Sequence, residues 1–548
     1  MDLPRARLQE MLYLAIFCTF FFFYGLGAFG LMGADEPRYA QVAREMLQRN
    51  DWVTPTLYGK VWLEKPVLYY WGAMSSYWLF GVRDWAARVP SAVLASLMIF
   101  AIYLFTRWWR PMAGFSTALI VCSSAAIFGF ARGASTDMPL AATFTIAMLA
   151  WFAWWRREER RWLLLFYFFA AAAALAKGPV APGLAGLIIV TLALARWEWK
   201  LIPRTLWWPG VLLFLATALP WYLLVQWRNP QFFEEFILQQ NFARFSTNLY
   251  RHEYPWWYYA PVLILGLMPW TLFAVLALGD ALKRWRSRNP TQAEEERAAL
   301  RHFLVIWAVV PVLFFSVSHS KLPGYILPAM PAWLLLTSNY LRDKMESVAR
   351  LPKLLIVAQA AALAILAGGV FLGPRLMHKP VVIPVMAFRM AGVVALMVFA
   401  AVIVLLDVSK WEMVRFATLL PLVLCVGFVL KVAAPVVDAT QSARPVAREL
   451  ASFAPSADIC AGNISRSLEY GLAFYRDHPV YELGQGQSPA RKCLLVAPLT
   501  RKSVLQIPAR RLFAGDFPEQ SLGFWWIDLP AQPAHASTPE SIPPQVNP

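Results

Sequence analysis

Charged side chains are scarce in this sequence. Asp, Glu, Lys and Arg make up 15% of the 548 residues, whereas soluble domains carry about 25%. Hydrophobic residues reach 59%, and they include 26 tryptophans and 37 phenylalanines. This composition excludes a soluble globular protein, and its aromatic rings suit bundle cores and the two membrane interfaces. Lipid must therefore be the main solvent of the chain.

Cysteine is equally rare, with five residues in the whole chain. None of the five has the spacing of a metal-ligand set. Three of them lie inside apolar segments: Cys18, Cys122 and Cys425. The candidate disulfide is therefore the pair Cys460 and Cys493.

Histidine is also sparse, and no third ligand is spaced to complete a metal site with His252 or His319. We therefore expect that no metal or other cofactor is required, and that a divalent ion held by Glu64 and a loop histidine would be incidental. The net charge of +17 comes from basic residues spread in small groups. Without a single basic stripe, nucleic acid is not the expected partner.

Long apolar runs dominate what remains. A membrane-spanning helix needs roughly 20 apolar residues, or somewhat fewer inside a bundle, and about 13 segments qualify. They lie near residues 12–31, 89–105, 113–130, 140–155, 163–175, 181–195, 206–225, 256–278, 303–315, 325–341, 354–372, 391–406 and 416–430. The sequence thus predicts a mainly α-helical, polytopic membrane protein.

Alternate loops between these segments are rich in Arg and Lys, as expected for the cytoplasmic side of a membrane. The opposite loops include two long ones, at 33–88 and 226–255, and loops of that length tend to be functional. An odd number of spans places the C-terminal segment outside. We therefore predict a transmembrane domain over residues 1–432, a soluble periplasmic α/β domain over 433–531, and a disordered Pro- and Ser-rich tail over 532–548.

The first long loop carries two acidic motifs. Asp35 and Glu36 begin a segment with amphipathic helical spacing, where carboxylates interact well with the helix dipole. Capping alone would also explain them. Glu64 and Lys65 form a charged pair in an aromatic stretch. The alternative explanation of this pair is that both side chains only anchor the chain at the membrane interface.

Further charges interrupt other loops on the same predicted side. They are Arg132, Asp137, Lys177, Arg251 and Lys321, with Tyr325 close to the last of them. Because isolated charges at membrane depth are costly, charges of both signs on one face indicate mutual pairing, a polar cavity or a charged ligand. Lys, Arg and Tyr suit phosphate oxygens, so the predicted ligand is a phosphorylated, lipid-linked sugar.

These motifs carry a family resemblance. They are Asp35-Glu36-Pro37-Arg38-Tyr39, Glu64-Lys65-Pro66 with the aromatics Tyr69-Tyr70-Trp71, Thr136-Asp137-Met138-Pro139, Lys177-Gly178 and the run from Ser320 to Pro328. The chain resembles the GT-C membrane glycosyltransferases, specifically the 4-amino-4-deoxy-L-arabinose lipid A transferases of Gram-negative bacteria, which are related to protein mannosyltransferases.

The resemblance implies a bundle of the GT-C fold in the bacterial inner membrane with its active site facing the periplasm. It implies undecaprenyl phosphate-linked aminoarabinose as donor and a phosphate of lipid A as acceptor. Capping that phosphate would lower its negative charge and weaken the binding of polymyxin and other cationic peptides.

Roles for individual residues follow from this chemistry. An acceptor phosphate is already an anion and scarcely needs a general base, so positioning and charge remain. Asp35 is predicted to lie near the anomeric carbon, in a single inverting displacement. The other predicted roles are donor phosphate binding by Lys65, Arg251 and Tyr325, amino-group binding by Glu36, Glu64 or Asp137, and acceptor phosphate binding by Arg38, Lys177 and Lys321.

Two alternatives stay open. The first is a transferase that uses a different polyprenyl phosphate sugar or a protein or glycan acceptor. The second is a transporter or flippase of lipid-linked sugars, which should show related halves or broken helices meeting near mid-membrane. Here the polar residues gather toward one face instead.

Overall fold

The computed structural model describes residues 3–243, 254–285, 292–347, 350–376, 410–411, 413–482, 492–499 and 510–528, with a few isolated positions between 393 and 404. The chain folds into a helical membrane bundle with a small α/β domain at its C-terminal end. The predicted tail over 532–548 and the donor-site candidate Arg251 lie outside the described residues.

The first half of the bundle contains eleven α-helices and a short hairpin. The helices are α1 Leu3–Cys18, α2 Asp35–Gln48, α3 Leu68–Phe80, α4 Asp84–Trp109, α5 Gly114–Cys122, α6 Ala125–Ala131, α7 Asp137–Arg157, α8 Arg160–Lys177, α9 Val180–Arg196, α10 Leu201–Thr205 and α11 Trp208–Arg228. Strands β1 Thr56–Leu57 and β2 Lys60–Val61 form the hairpin between α2 and α3. A π-helix, Thr19–Phe23, extends α1, and a second one follows at Phe233–Ala243.

The described part of the second half continues in the same way. It comprises α12 Tyr259–Gly266, α13 Thr271–Lys283, α14 Gln292–Val317, α15 Met330–Glu346, α16 Lys353–Leu376 and α17 Met413–Phe428. A 3₁₀ helix, Pro323–Ala329, leads into α15. A π-helix, Val429–Ala433, ends α17.

Helix α7 is the centre of the bundle. Nearly all of its residues are apolar or small, and it is buried along its full length. An apolar helix can face lipid or other helices, and the burial of residues 138–155 shows that other helices surround α7. It forms a hairpin with α8, whose chain reversal uses Glu158 in the left-handed conformation. This hairpin places Asp137 and Lys177 at the same end of the bundle, about 30 Å from Arg157.

The predicted spans overlap helices throughout the described residues, but three of them need correction. The segment at 12–31 is helical only as far as Phe23. The segments at 113–130 and 256–278 are each broken, with bends of 68° and 116°. Among the described residues, five helices are long and apolar enough to cross a membrane alone, or up to seven if each bent pair is one span. The segment at 391–406 lies mostly outside the described residues, so the total of about 13 stays a prediction.

The basic loops that were predicted to share one side do gather at one end of the bundle. Ion pairs link them to each other: Glu10 with Arg107, Arg110 with Asp343, Arg156 with Glu296, Arg196 with Glu295, and Arg204 with Glu158. The first long loop lies at the other end with the C-terminal domain, since Arg44 pairs with Asp477 of that domain.

The C-terminal domain has a five-stranded mixed sheet. Its elements are α18 Ala434–Gln441, α19 Ala443–Phe453, β3 Ile459–Ala461, α20 Arg466–Arg476, β4 Val480–Glu482, β5 Lys492–Pro498, β6 Arg510–Phe517 and β7 Leu522–Asp528. The strand order is β4-β3-β5-β7-β6, in which β3 runs parallel to β4 and β5 and the other pairs are antiparallel. A disulfide between Cys460 and Cys493 joins β3 to β5, which confirms the predicted pair.

Candidate functional site

Helix α2 lies at the end of the bundle that holds the C-terminal domain, and Asp35 stands in its first turn. The segment is helical as predicted, and most of it is buried, including Tyr39, Ala43 and Met46. The Asp35 side chain is 59% exposed and accepts a hydrogen bond from Arg38 at 2.5 Å. Asp35 therefore keeps most of its surface open to a ligand.

Arg38 connects Asp35 to the second acidic motif. Its guanidinium lies 3.8 Å from Glu64 and 5.2 Å from the ring centroid of Trp62. Tyr470 of the C-terminal domain covers it from another side, at 6.0 Å. Aromatic faces hold a guanidinium in place at little cost in hydration. The C-terminal domain thus helps to position the charged residues of the first loop.

The carboxyl group of Glu469 lies in the same domain interface, next in sequence to Tyr470. Burial raises the pKa of Glu469 to about 7, and the nearby carboxylate of Glu482 adds to the shift. The interface therefore contains a carboxyl group that is partly protonated near neutral pH.

Glu36 is engaged by the protein itself. Its carboxylate accepts hydrogen bonds from Arg88 at 2.7 and 3.1 Å, from the backbone N–H of Ala134 at 2.7 Å and from that of Met32 at 2.8 Å. Arg88 is 1% exposed and also donates to the carbonyls of residues 26, 29 and 30. All these donors belong to the protein itself. Glu36 therefore has a structural role, which its position in the sequence did not reveal.

A cavity of about 520 Å³ opens beside this cluster. Its polar end is formed by Glu64, Lys65, Lys177, Ser318 and Tyr325, with Gln240 from the second long loop. Its other end is apolar, with α9 contributing a single face at the helical spacing i, i+3, i+4, i+7: Val180, Gly183, Leu184 and Leu187. Leu187 is 40% exposed, so the cavity continues to the flank of the bundle about 10 Å from its polar end.

Asp137 and Lys177 form an ion pair at the wall of the cavity. The Lys177 ammonium also lies 4.9 Å from the ring centroid of Tyr325. Two glycines make this close approach possible. Gly178 has a φ of 89°, which lets the chain turn directly after Lys177, and a β-carbon on Gly324 would come within 2.7 Å of the Asp137 carboxyl carbon.

The structure therefore brings together most of the predicted site residues. Glu64, Lys65, Lys177 and Tyr325 line one cavity, Asp137 pairs with Lys177, and Asp35 is linked to Glu64 through Arg38. Lys321 does not line the cavity; it is 5% exposed and donates to the carbonyl of Ser318, which does. Lys177 lines the same cavity as Lys65, and its predicted contact with the acceptor phosphate stays a prediction.

Three contributions to the site were missed by the sequence. Arg88, Tyr470 and Phe236 belong to the site through contacts with residues far away in the chain. Arg88 had one local signal, since a lone arginine at the start of an apolar helix needs a partner. Among the described residues, no group of three or more His, Cys, Asp or Glu side chains could hold a metal ion. His252 lies outside them.

Similarity to known proteins was found at three levels. Residues 10–236 match the family of dolichyl-phosphate-mannose-protein mannosyltransferases. Proteins named undecaprenyl phosphate-alpha-4-amino-4-deoxy-L-arabinose arabinosyl transferase are 30% identical over 335 residues in Photorhabdus laumondii and 32% identical over 339 residues in Serratia proteamaculans. Each match covers 60% of this chain. The matches span 58% and 59% of the two relatives, which is less than two thirds of the length of each. The relative of the same name in Yersinia enterocolitica is 32% identical over 400 residues, which is 70% of each chain.

The fold is shared with two crystal structures of ArnT from Cupriavidus metallidurans. The structure bound to undecaprenyl phosphate has a TM-score of 0.73 at 24% identity and covers 94% of this chain and 97% of that one. The apo structure has a TM-score of 0.72 at 23% identity and covers 95% and 98%. At these identities the likeness establishes a common fold.

Proposed function

Since this chain belongs to the family of undecaprenyl phosphate-aminoarabinose arabinosyl transferases, we propose that it moves 4-amino-4-deoxy-L-arabinose from undecaprenyl phosphate to a phosphate of lipid A. The reaction would occur at the periplasmic face of the bacterial inner membrane. Addition of the amino sugar would then reduce the binding of polymyxin and other cationic peptides, because it offsets negative charge on lipid A.

The amphipathic cavity supports this proposal most directly. A polyprenyl phosphate has a charged head and a long apolar chain, and the cavity likewise has a charged end and an apolar end. Lys65, Lys177 and Tyr325 provide an ammonium pair and a hydroxyl for phosphate oxygens. The apolar face of α9 continues from them toward the flank of the bundle, where a lipid chain can leave the site.

The proposed reaction is a direct displacement. An oxygen of the acceptor phosphate forms a bond to the anomeric carbon, and the bond from that carbon to the donor phosphate oxygen breaks. The leaving undecaprenyl phosphate takes the electron pair, and Lys65 and Lys177 stabilise its charge. Asp35 faces the sugar and stabilises positive charge as it develops at the anomeric centre. No proton has to be removed from an acceptor that is already ionised.

Two features support the periplasmic face. The disulfide between Cys460 and Cys493 belongs to an oxidising compartment. The Arg-rich loops lie at the other end of the bundle, as the positive-inside rule requires for a site outside the cytoplasm. No metal enters the proposed mechanism.

The test of the proposal is the product. Purified protein is supplied with undecaprenyl phosphate-aminoarabinose and lipid A, and mass spectrometry is used to look for lipid A with an added aminopentose. We expect Lys65→Ala to reduce kcat/KM for the donor by roughly 10- to 100-fold, since a charge-assisted hydrogen bond to phosphate is lost. Lys60→Ala is the matched control, because Lys60 is an exposed lysine of the same loop outside the cavity. Absence of the added sugar with the unaltered protein would refute the function.

Blocking the apolar end of the cavity should affect only long-chain donors. Gly183 lines the cavity, and a β-carbon added there meets no atom within 4 Å. We expect Gly183→Phe to fill the groove and to reduce turnover of the undecaprenyl donor at least tenfold, because a phenyl ring displaces apolar chain contacts. A donor with a short prenyl chain should be used as well as before.

Gly186→Phe controls for the effect of a bulky residue on α9. Gly186 has equally open surroundings but does not line the cavity. If both variants lose the same activity, or if Gly183→Phe reduces turnover of short and long donors alike, the apolar groove is not the path of the lipid chain.

A further inference from the structure

A second cavity lies at the end of the bundle opposite the catalytic one. Its volume is about 390 Å³, and five cations from the ends of four helices line it: Arg110, Arg284, Arg297, Arg301 and Lys344. Helix α14 connects the two cavities, since Arg297 lies near its start and Phe314 of the catalytic cavity near its end. The helical rise between these two residues is about 25 Å.

The carboxylates of this basic cavity are already paired. Each of the three accepts a hydrogen bond from an arginine: Asp343 from Arg110 at 2.8 Å, Asp280 from Arg284 at 3.0 Å, and Glu346 from Arg342 at 2.8 Å. Within the part of the chain that the structure describes, Arg297, Arg301 and Lys344 have no carboxylate within ion-pair distance. This concave, partly enclosed cavity therefore has an excess of positive charge.

Arg301 shows most clearly that an acceptor is needed. One of its terminal nitrogens donates to the carbonyl of Arg284 at 2.9 Å. Its Nε is buried and has no acceptor among the described residues. The charged guanidinium is thus incompletely hydrogen-bonded where it lines the cavity, and a neighbouring anion would stabilise it.

An adjoining cavity of about 430 Å³ extends this surface. It shares Trp109, Arg110 and Arg297 with the first and adds Arg157. The Arg157 guanidinium lies 4.1 Å from a ring centroid of Trp108 and, among the described residues, pairs with no carboxylate. Unneutralised cations therefore stand on both sides of Arg297.

We propose that the two adjoining cavities bind the headgroup of an anionic phospholipid with two phosphates, of the cardiolipin type. Basic pockets between helices at a membrane surface suit such headgroups. Trp108 and Trp109 are aromatics of the kind that anchor at the lipid interface. The positive-inside rule explains why basic residues are numerous in these loops. It does not explain why they line two adjoining cavities in which cations outnumber carboxylates.

Native mass spectrometry of the full-length protein can test this binding. The delipidated protein is exposed to equal amounts of cardiolipin and phosphatidylcholine, and retention of cardiolipin is expected. The double variant R297Q/R301Q should retain roughly 10- to 30-fold less of it, because two cation–phosphate contacts are lost. The double variant R161Q/R204Q is the matched control, since Arg161 and Arg204 are exposed arginines at the same end and outside both cavities. It should retain cardiolipin as the unaltered protein does.

Several outcomes would overturn the proposal. They are equal retention of the two lipids by the unaltered protein, equal loss in both double variants, or displacement of cardiolipin by millimolar pyrophosphate, which would indicate a soluble phosphate ligand. Loss of retention in Lys65→Ala would place the lipid in the catalytic cavity instead. If R297Q/R301Q fails to fold, the lipid preference of the unaltered protein and its response to pyrophosphate still decide the question.

Discussion

Replacing Asp35 with asparagine is expected to lower the rate of aminoarabinose transfer by about 10²- to 10³-fold, because the proposed mechanism uses its carboxylate to stabilise charge in the transition state. The side chain is 59% exposed, and asparagine has nearly the same shape and can still accept the hydrogen bond from Arg38. The protein should therefore insert and fold normally. Turnover is measured by mass spectrometry of the modified lipid A, and folding by thermal unfolding of the purified variant.

Asp477→Asn is the matched control for this variant. Asp477 is also an exposed acid that pairs with an arginine of α2, here Arg44 at 3.0 Å. It lies in the C-terminal domain, and its partner Arg44 is about 14 Å along α2 from Asp35. The left-handed backbone at Asp477 also suits asparagine. Normal modification of lipid A by Asp35→Asn would remove Asp35 from the mechanism, and equal loss in both variants would indicate a general electrostatic effect.

Replacing Arg88 with alanine is expected to destabilise the protein by about 3–5 kcal/mol, since one partner of a buried ion pair is removed. Glu36 would lose its counter-charge. Three carbonyls in the turn after the first helix would lose their donor as well. The loss should appear as a lower midpoint of thermal unfolding in detergent, with activity falling because α2 and Asp35 are no longer held.

The comparison with Arg107 makes this prediction specific. Arg107 belongs to the same helix, α4, but its partner Glu10 is 32% exposed, so Arg107→Ala should cost at most about 1 kcal/mol. Arg88→Lys should recover only part of the stability, because an ammonium group cannot replace the five N–H donors of a guanidinium. If Arg88→Ala and Arg107→Ala are equally stable, the buried network does not hold the first loop.

The membrane class of the protein and much of its site could be predicted from local features of the sequence. Apolar segments and basic loops identified the bundle and its two ends. The charged motifs at Glu64, Lys65 and Lys177 do meet in one cavity, because they lie in loops at the same end. The disulfide between Cys460 and Cys493 followed by elimination, since the other cysteines lie in apolar segments.

Other features depended on contacts between distant parts of the chain. The sequence offered Glu36 as one of three candidates for binding the amino group, and only packing shows that Arg88 pairs with its carboxylate. It offered Lys177 and Asp137 as separate ligand-binding candidates, and only the structure shows that the two form an ion pair. Nor did anything local indicate that Tyr470 covers Arg38.

By itself, the sequence determined that this chain is a membrane protein whose Arg-rich loops lie at one end and whose candidate site loops lie at the other. It could do so because the free energy of entering lipid is a sum over neighbouring residues. The tertiary structure alone decided which charges neutralise each other and which remain for a ligand. Ion pairs and hydrogen bonds depend steeply on distance, and those distances are set by the packing of helices that are far apart in the chain.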